Sequence, residues 1–208
     1  MLVEQGAQHV VVLCNFKEQG KDKCHPYWPR VVGETLVHGI YTVRLIKSEK
    51  MQWERASSAD VTLYQLVVEV DCVVVHSFQL AHWQNWPDRS APQPDSALLE
   101  LLSRISDTKK PIVVHCSAGV GRTGVFALTM MIIERLQSGH KETIESAFNL
   151  IGLLRELRSY RANSVQTVAQ YLYVIQIILT NCLQSGILED SFRDEVNSFT
   201  IEGLKVAC

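Results

Sequence analysis

Residues 114 to 124 read VHCSAGVGRTG, and they join the apolar segment PIVVH at 111 to 115 to a helical pattern that begins near Arg122. In a strand, loop and helix of this order, successive backbone N–H groups of the loop can point at one spot, with the positive end of the helix dipole behind them. Such a loop attracts anions. The stretch therefore predicts an anion site between a strand and a helix.

The residue types in this stretch suit a phosphate group and a nucleophile. Gly119, Gly121 and Gly124 let the backbone approach an anion closely and adopt φ values that other residues avoid. Arg122 offers two N–H donors in one plane to two oxygens of a tetrahedral phosphate. The field at the helix start favours the thiolate of Cys116 over the thiol. An inert cysteine beside a glycine turn is the alternative, but the combination of residues favours a nucleophile beneath a phosphate.

Hydrophobic patterns elsewhere predict strands in the first half of the chain and helices in the second. The predicted strands lie at 9 to 15, 35 to 47, 61 to 82 and 111 to 115, and the polar stretch KEQGKDK at 17 to 23 is predicted to be an exposed loop. The helical patterns run from an Asp95 or Ser96 cap to about 106, from 122 to 137 with Gly139 as the end, from 143 to 158 and from 165 to 183. This order predicts an α/β architecture with helices packed on a mostly buried sheet.

Composition and charge exclude several classes of function. The chain has 208 residues, 47% hydrophobic and 20% charged, which is typical of one globular domain. Its net charge of −2 provides no general attraction to nucleic acid or to an anionic membrane surface. We find no secretory signal and no membrane segment of about 20 apolar residues. The cysteines show neither a disulfide framework nor zinc spacing, which favours a reducing compartment and predicts a cytoplasmic protein without a metal.

HCSAGVGRTG resembles the active-site motif of the cysteine-dependent protein tyrosine phosphatases, in which five residues separate the cysteine from the arginine. Four further stretches resemble motifs of the tyrosine-specific branch in the same order: KCHPYWP at 23 to 29, WPD at 86 to 88, LRSYR at 157 to 161 and VQTVAQY at 165 to 171. The resemblance covers roughly residues 1 to 180. It implies the family fold, a twisted mixed sheet flanked by helices, in a catalytic domain over 1 to 183 that precedes a C-terminal tail over 184 to 208.

The resemblance also implies a two-step reaction that needs no cofactor. Cys116 attacks phosphorus while Asp88 protonates the departing tyrosyl oxygen, and water then cleaves the cysteinyl-phosphate with Asp88 as the base. Gln166 resembles the glutamine that positions this water, with Gln170 as its neighbour on the same helical face. Thr123 is placed to stabilise the departing thiolate. The plainer alternatives are a turn-forming aspartate, an exposed helix glutamine and a first-turn hydroxyl.

The other motif residues are predicted to bind phosphate or to support the reaction. The predicted phosphate-binding residues are Ser117, Ala118, Gly119, Val120, Gly121, Arg122 and Gln170. Trp86 and Pro87 begin the acid loop, and His115 is predicted to tune the nucleophile. Glu18 aligns with the family glutamate that orients the arginine, and Lys23 with the lysine that meets the acid loop. Solvated loop charges are the alternative for these last two.

Three departures from the family pattern bear on substrate choice. The family domain usually begins well before the segment that matches MLVEQ, and the earlier part carries an N-R-Y loop whose tyrosine stacks on the substrate ring; this chain has no such motif. Ser90 stands where relatives usually have a glycine. Tyr160 replaces the usual glutamine of L-R-x-Q-R. We therefore expect the chemistry to be kept and the efficiency and substrate choice to differ.

Three hypotheses of function follow. The first is an enzyme that hydrolyses phosphotyrosine in proteins, so that phosphotyrosine-containing proteins are its partners. The second is a truncated, weakly active or inactive phosphatase domain that binds phosphotyrosine or a protein partner. The third is a broader phosphatase that accepts phosphoserine or a phosphorylated lipid, since a pocket without the tyrosine loop is shallower.

Overall fold

The computed structural model describes residues 1–138 and 146–199, and the chain consists of two compact units. Unit 1 comprises Met1–Glu54, Ser58–Trp86 and Ser103–Ser117, and unit 2 comprises Arg55–Ser57, Pro87–Leu102 and Ala118–Cys208. All the strands found in the described residues belong to unit 1, whereas the long helices belong to unit 2. Strands and helices together confirm the predicted α/β class.

Unit 1 is built on a six-stranded mixed sheet. Its strands lie in the order β4 (Thr35–His38), β5 (Tyr41–Lys50), β6 (Val61–Val70), β7 (Val73–Trp83), β1 (His9–Val12) and β8 (Ile112–His115). The strands β4 to β7 are antiparallel to one another, whereas β1 runs parallel to both β7 and β8. A short helix, α1 (Leu2–Gln5), precedes β1. The predicted strands at 9 to 15 and 111 to 115 are confirmed as β1 and β8.

The strand β1, which lies between β7 and β8, fixes the end of β8. Val10, Val11 and Val12 are at most 2% exposed because β1 has a parallel neighbour on each side, as a continuous β-branched run predicts. The backbone N–H of Leu13 continues this pairing and donates to the carbonyl oxygen of His115 at 2.9 Å. Cys116, the residue after β8, therefore follows a strand end that is fixed by hydrogen bonds to β1 and to Leu13.

Both long strand segments of the first half are hairpins. The segment predicted at 35 to 47 turns at Gly39, whose φ is 64°. The segment predicted at 61 to 82 turns at Asp71 and Cys72, with φ of 50° and 64°. Two left-handed residues in a row are typical of a type I′ turn, which matches the twist of the two strands. Neither Asp71 nor Cys72 marks such a turn as strongly as glycine does, and the sequence pattern therefore did not show it.

The predicted exposed loop at 17 to 23 is wrong in part. It forms a short hairpin of β2 (Lys17–Glu18) and β3 (Lys21–Asp22). The turn consists of Gln19 and Gly20, with φ of 50° and 76°. A hairpin of polar residues has no alternation of apolar side chains, so that the hydrophobic pattern cannot indicate it.

Unit 2 contains the long helices. They are α3 (Arg122–Gln137), α4 (Leu150–Tyr160) and α5 (Val168–Gln184), while α2 (Ala97–Ile105) leads from unit 2 into unit 1. Asp95 accepts from the backbone N–H of Ala97 through Oδ1 at 2.9 Å, which confirms the predicted cap. The predicted bounds of α3 are also confirmed. Gly139, its predicted end, lies outside the described residues.

One predicted helix is interrupted, and one predicted helix start is wrong. In the helix predicted from 143 to 158, residues 146–147 are helical, the helix breaks at Phe148, and α4 begins at Leu150, where Asn149 caps it by accepting from the N–H of Gly152 at 3.0 Å. The predicted start at 143 lies outside the described residues. The helix predicted from 165 begins at Val168. Val165 itself has a φ of 58°, which excludes it from a right-handed helix. The apolar pattern extended through these residues, and only the caps mark the true starts.

The chain after α5 contains further short helical structure. The N–H of Leu188 donates to the carbonyl oxygen of Cys182, a 3₁₀ turn covers Asp190–Phe192, and residues 193–199 are helical with Val196 buried. The domain boundary at 183 stays a prediction, and part of the predicted tail, 200–208, lies outside the described residues. In the described part of the chain, no helix has the length and apolar character needed to cross a membrane.

Candidate active site

The stretch that carries the cysteine connects β8 to α3, as predicted. β8 ends at His115, Cys116 follows it, and α3 begins at Arg122. We call the intervening residues, 117–121, the anion loop. Cys116 lies in unit 1 and is 7% exposed. The structure shows no disulfide among Cys14, Cys24, Cys72, Cys116 and Cys182, the cysteines within its described part. The proposed nucleophile is thus a reduced cysteine at the end of a strand of the sheet.

Within unit 1, a hydrogen-bond chain leads from Tyr27 to the backbone of Cys116. The Tyr27 hydroxyl lies 2.7 Å from Nε2 of His115, and Nδ1 of His115 lies 3.0 Å from the carbonyl oxygen of Cys116. Burial, followed by the nearby Cys24 and Cys14 thiols, raises the pKa of Tyr27 well above its usual value, so that the phenol keeps its proton. Since a carbonyl only accepts, Nδ1 of His115 carries a proton. The side chain of His115 therefore contacts the backbone of Cys116, the proposed nucleophile.

Arg161 holds the anion loop within unit 2. Its Nε donates to the carbonyl oxygen of Gly119 at 2.9 Å and its Nη2 to that of Ala118 at 3.2 Å. In a planar trans peptide the carbonyl and the following N–H point in opposite directions. The N–H groups of Gly119 and Val120 are therefore directed away from Arg161, as an anion-binding loop requires. Gly119 adopts a φ of 70°, which a side chain would disfavour.

Two segments of unit 2 meet at Val120. Its carbonyl oxygen accepts from the N–H of Gly124 at 3.1 Å and from the N–H of Val165 at 3.0 Å. A Cβ atom on Gly124 would lie 2.4 Å from the backbone nitrogen of Val165, so that this glycine is required by close packing. Arg158 fixes the other side of the contact, since it donates to the carbonyl oxygens of Ser164 and Val165, both at 2.9 Å.

The predicted acid and the predicted arginine are neighbours in unit 2. Oδ1 of Asp88 lies 3.3 Å from Nη2 of Arg122. The Arg122 side chain is 2% exposed and that of Asp88 33% exposed. A guanidinium that is buried at the first position of α3 is suited to hold an anion, and a carboxyl group beside it is suited to exchange a proton with that anion's leaving group.

The two predicted glutamines also lie at the anion loop. A Cβ atom on Gly121 would be 2.5 Å from Oε1 of Gln166 and 3.1 Å from Nε2 of Gln170. Gln170 is fully buried, and its Oε1 accepts from the N–H of Gln166 at 2.8 Å. Its Nε2 is 3.5 Å from the carbonyl oxygen of Ser90, in the acid loop. Gln170 thus binds backbone groups on two sides, while the side chain of Gln166 reaches the base of the loop.

The other predicted residues occupy defined places in their own units. In unit 1, Glu18 accepts from the N–H of Asn15 at 3.0 Å, and the N–H of Lys23 donates to the carbonyl oxygen of Phe16 at 2.8 Å. Trp86 is buried, with its ring 4.8 Å from that of Trp83. In unit 2, Pro87 is exposed, and so is Ala118, which follows Ser117 in the chain. Thr123 is half-buried in the first turn of α3. Their catalytic roles stay predictions.

Three side chains at these positions carried no separate prediction: Tyr27, Arg161 and Thr167. Each lies in a stretch that carried the family resemblance, KCHPYWP, LRSYR or VQTVAQY. The resemblance was therefore the available signal, whereas the hydrogen bonds of these side chains are visible only in the structure. Across residues 1–138 and 146–199, no group of His, Cys, Asp and Glu side chains is arranged to hold a metal ion.

A further histidine in unit 1 is buried without being part of the motifs. His82 lies in β7, is fully buried, and its Nε2 is 2.9 Å from the carbonyl oxygen of Cys14. Its Nδ1 has no hydrogen-bond partner among the described residues. Desolvation by burial lowers the pKa of His82 to about 4, against a smaller opposing effect of the Cys14 carbonyl. The neutral ring with its proton on Nε2 is therefore the stable form.

Comparison with known proteins gives one family. The family model described as protein-tyrosine phosphatase matches residues 1–180. Tyrosine-protein phosphatase 99A of Drosophila melanogaster is 32% identical over 190 residues, which cover 89% of this chain and 14% of that protein. The human phosphatidylinositol phosphatase PTPRQ is 34% identical over 184 residues, which cover 86% of this chain and 7% of that protein. The chain thus spans a small part of the length of these relatives.

Solved structures show the same fold. The catalytic domain of human protein tyrosine phosphatase non-receptor type 18 is similar with a TM-score of 0.71 and 28% identity, over 84% of this chain and 60% of that one. A structure described as PTPN18 in complex with phosphopeptides of HER2 gives a TM-score of 0.74 and 26% identity, over 85% of this chain and 59% of the other.

Proposed function

This chain belongs to the protein-tyrosine phosphatase family, and we propose that it hydrolyses phosphotyrosine in proteins through a cysteinyl-phosphate intermediate. Phosphotyrosine-containing proteins are then its substrates and partners. The complex of PTPN18 with HER2 phosphopeptides supports this for a similar fold. We place the activity in a domain over 1 to 183 and in the cytoplasm, because the reaction needs a reduced cysteine.

The proposed first step transfers the phosphoryl group to sulfur. The thiolate of Cys116 attacks phosphorus, and the bond from phosphorus to the tyrosyl oxygen breaks. Asp88 gives its proton to that oxygen, so that neutral tyrosine leaves. Arg122 and the N–H groups of the anion loop hold the non-bridging oxygens throughout.

The proposed second step releases phosphate. Water attacks phosphorus of the cysteinyl-phosphate, Asp88 accepts a proton from the water, and the thiolate of Cys116 departs. Gln166 positions the water, and Thr123 stabilises the thiolate. The free enzyme and inorganic phosphate result, so that no redox partner or cofactor is needed. Glu18, Lys23 and His115 support Arg122, the acid loop and Cys116 respectively.

One observation carries the proposal beyond the family: Asp88 and Arg122 are adjacent at 3.3 Å although they are 34 positions apart in the chain. The pairing matches a general acid that acts next to the phosphate-binding guanidinium.

The test is release of phosphate from a phosphotyrosyl peptide, without added metal. Wild type and Cys72→Ser, which alters an exposed turn cysteine, are expected to release phosphate, whereas Cys116→Ser is expected to release none. Equal release by Cys116→Ser would overturn the mechanism. If folded wild type releases none while Cys116→Ser binds the phosphopeptide in calorimetry, the binding-module hypothesis replaces the enzyme.

A second candidate substrate is a phosphoinositide. It is favoured by the 34% identity with the phosphatidylinositol phosphatase PTPRQ. Rates on a phosphotyrosyl peptide and on short-chain phosphoinositides distinguish the two substrates. A higher kcat/KM for the lipid would replace the protein substrate while the cysteine chemistry is kept.

A further inference from the structure

The first turn of α5 contacts the acid loop directly behind its aspartate. The hydroxyl of Thr167 lies 3.1 Å from the carbonyl oxygen of Arg89, and Nε2 of Gln170 lies 3.5 Å from that of Ser90. Arg89 and Ser90 are the two residues that follow Asp88. All of these residues belong to unit 2. Two consecutive carbonyl groups of the acid loop are thus bound by side chains of one helical turn.

The hydroxyl of Thr167 has two different hydrogen bonds. It accepts from the backbone N–H of Gln170 at 3.2 Å, which makes Thr167 the N-cap of α5. A hydroxyl has one proton, and a carbonyl oxygen only accepts. The contact with Arg89 is therefore the donated bond, and the two bonds can be removed separately by substitution.

The backbone of Arg89 needs such a contact. Its φ is 57°, in the left-handed region that residues with a side chain rarely adopt. A conformation of this kind costs about 1 kcal/mol or more and persists where the surroundings determine it. The bond from Thr167 is attached to the same residue that carries this strain, and the carboxyl group of Asp88 lies one residue before it.

We propose that Thr167 is a positioning residue for the general acid: its hydroxyl holds the Arg89 carbonyl and thereby keeps Asp88 beside Arg122. The role rests on the proposed function. Thr167 does not touch the reacting atoms, and its effect on the reaction passes through the position of Asp88. Loss of the donated bond should therefore impair the step that needs a proton and spare steps that do not.

Three substitutions separate the functions of the hydroxyl. Thr167→Ser keeps both bonds. Thr167→Asp keeps the cap, since a carboxylate accepts from an N–H, but it cannot donate to Arg89. Thr167→Val removes both bonds with little change in shape. Thr180→Val is the matched control, because Thr180 lies in the same helix and donates to the Gln176 carbonyl of that helix at 2.9 Å.

Hydrogen exchange measures how readily the acid loop opens, independently of catalysis. In Thr167→Val and Thr167→Asp, amide exchange over residues 88–91 is expected to be about fivefold faster than in wild type, from a net hydrogen-bond contribution of about 1 kcal/mol. Thr167→Ser and Thr180→Val should exchange as wild type does. Unchanged exchange in both Thr167→Val and Thr167→Asp would overturn the proposal.

Substrates whose leaving groups differ in basicity test whether Asp88 still acts as the general acid. With a phosphotyrosyl peptide, whose phenolate needs protonation, Thr167→Val and Thr167→Asp should be about tenfold slower, which is part of the contribution of about 100- to 10,000-fold that a general acid makes. With 2,4-dinitrophenyl phosphate, whose leaving group needs no proton, the rate should change less than about twofold. An equal loss of rate on both esters would show a structural defect and overturn the positioning role.

If the wild type is inactive on both esters, the proposed function is overturned instead. Hydrogen exchange then still decides whether Thr167 holds the loop.

Discussion

Asp88 and Arg122 form an ion pair in which Oδ1 of the aspartate lies 3.3 Å from Nη2 of the arginine. The arginine is almost fully buried at the start of α3, whereas the aspartate is one-third exposed. An incoming phosphate group therefore competes with Asp88 for the same guanidinium. The arginine is oriented before the substrate arrives, which reduces the cost of ordering it on binding.

Replacement of Arg122 by lysine keeps the charge and removes the planar pair of donors. We expect Arg122→Lys to lower kcat/KM for a phosphotyrosyl peptide about 100-fold, since charge-assisted hydrogen bonds contribute about 1.5–3 kcal/mol each. Steady-state kinetics measure this. Arg135→Lys is the control in the same helix, because Arg135 pairs with Glu156 at 2.7 Å on a partly exposed surface. A loss of less than about threefold in Arg122→Lys would exclude bidentate binding.

A methyl group at Gly121 should disturb the hydrolysis step. Its carbon would lie 2.5 Å from Oε1 of Gln166, so that the glutamine must move. If Gln166 positions the water, Gly121→Ala accumulates the cysteinyl-phosphate and shows a burst of the released phenol followed by a slow steady rate, which stopped-flow kinetics detect.

The double variant tests the cause of this burst. Gly121→Ala and Gln166→Ala should each slow the steady rate, and the combination should be no slower than the worse single variant, because both act on one side chain. Multiplied effects in the double variant would mean that the methyl group acts on the loop by another route.

A side chain at Gly124 should destabilise the protein. Its Cβ would lie 2.4 Å from the backbone nitrogen of Val165 and 3.1 Å from backbone atoms of Ser164, neither of which can rotate away. We expect Gly124→Ala to lower the free energy of unfolding by about 3 kcal/mol. The control is Gly152→Ala, where the new carbon meets only the end of the Asn149 side chain and the change should be within about 1 kcal/mol. Urea denaturation of both variants gives the comparison, and equal values would contradict the packing argument.

His82 should make the fold sensitive to acid. Its pKa is lowered to about 4 by burial, whereas in the unfolded chain it returns to its ordinary value of 6.5. Between these values the unfolded chain binds a proton that the folded protein does not, so that stability falls as the pH falls. From pH 7 to pH 5 this amounts to about 2 kcal/mol, with the full effect below pH 4.

Substitution isolates this contribution. His82→Gln cannot titrate, and it should lose about 2 kcal/mol less stability than wild type when urea denaturation is compared at pH 7 and pH 5. His25→Gln alters an exposed histidine and should follow wild type. Identical pH dependence in wild type and His82→Gln would assign the acid sensitivity to other groups.

Much of the fold could be predicted from local patterns. The buried β-branched run of β1, the strand before Cys116 and both bounds of α3 follow from hydrophobicity and from the glycine loop. The turn at Asp71 and Cys72 could not be predicted, because its left-handed backbone is imposed by the pairing of β6 with β7 rather than by its residue types. The interruption before α4 was missed because an apolar pattern continues across the Asn149 cap.

The candidate site divides in the same way. The types and spacing of Cys116, Asp88 and Arg122 were sufficient to expect phosphate chemistry, and the two members of this set in unit 2 are indeed adjacent. Arg161 donates to two backbone carbonyl oxygens, and Thr167 donates to that of Arg89. The acceptors are backbone atoms, which every residue has. No residue pattern encodes such bonds, so that only the folded chain reveals them.

The carbonyl oxygen of Val120 accepts from the N–H groups of both Gly124 and Val165, and this shared acceptor couples local opening of the segments around it. The anion loop, the start of α3 and the residues before α5 share this acceptor, so that they open together rather than as separate loops. A site that must order several N–H groups around an anion thus gains rigidity from cooperativity. The anion loop opens only when the first turn of α3 and the residues before α5 open with it.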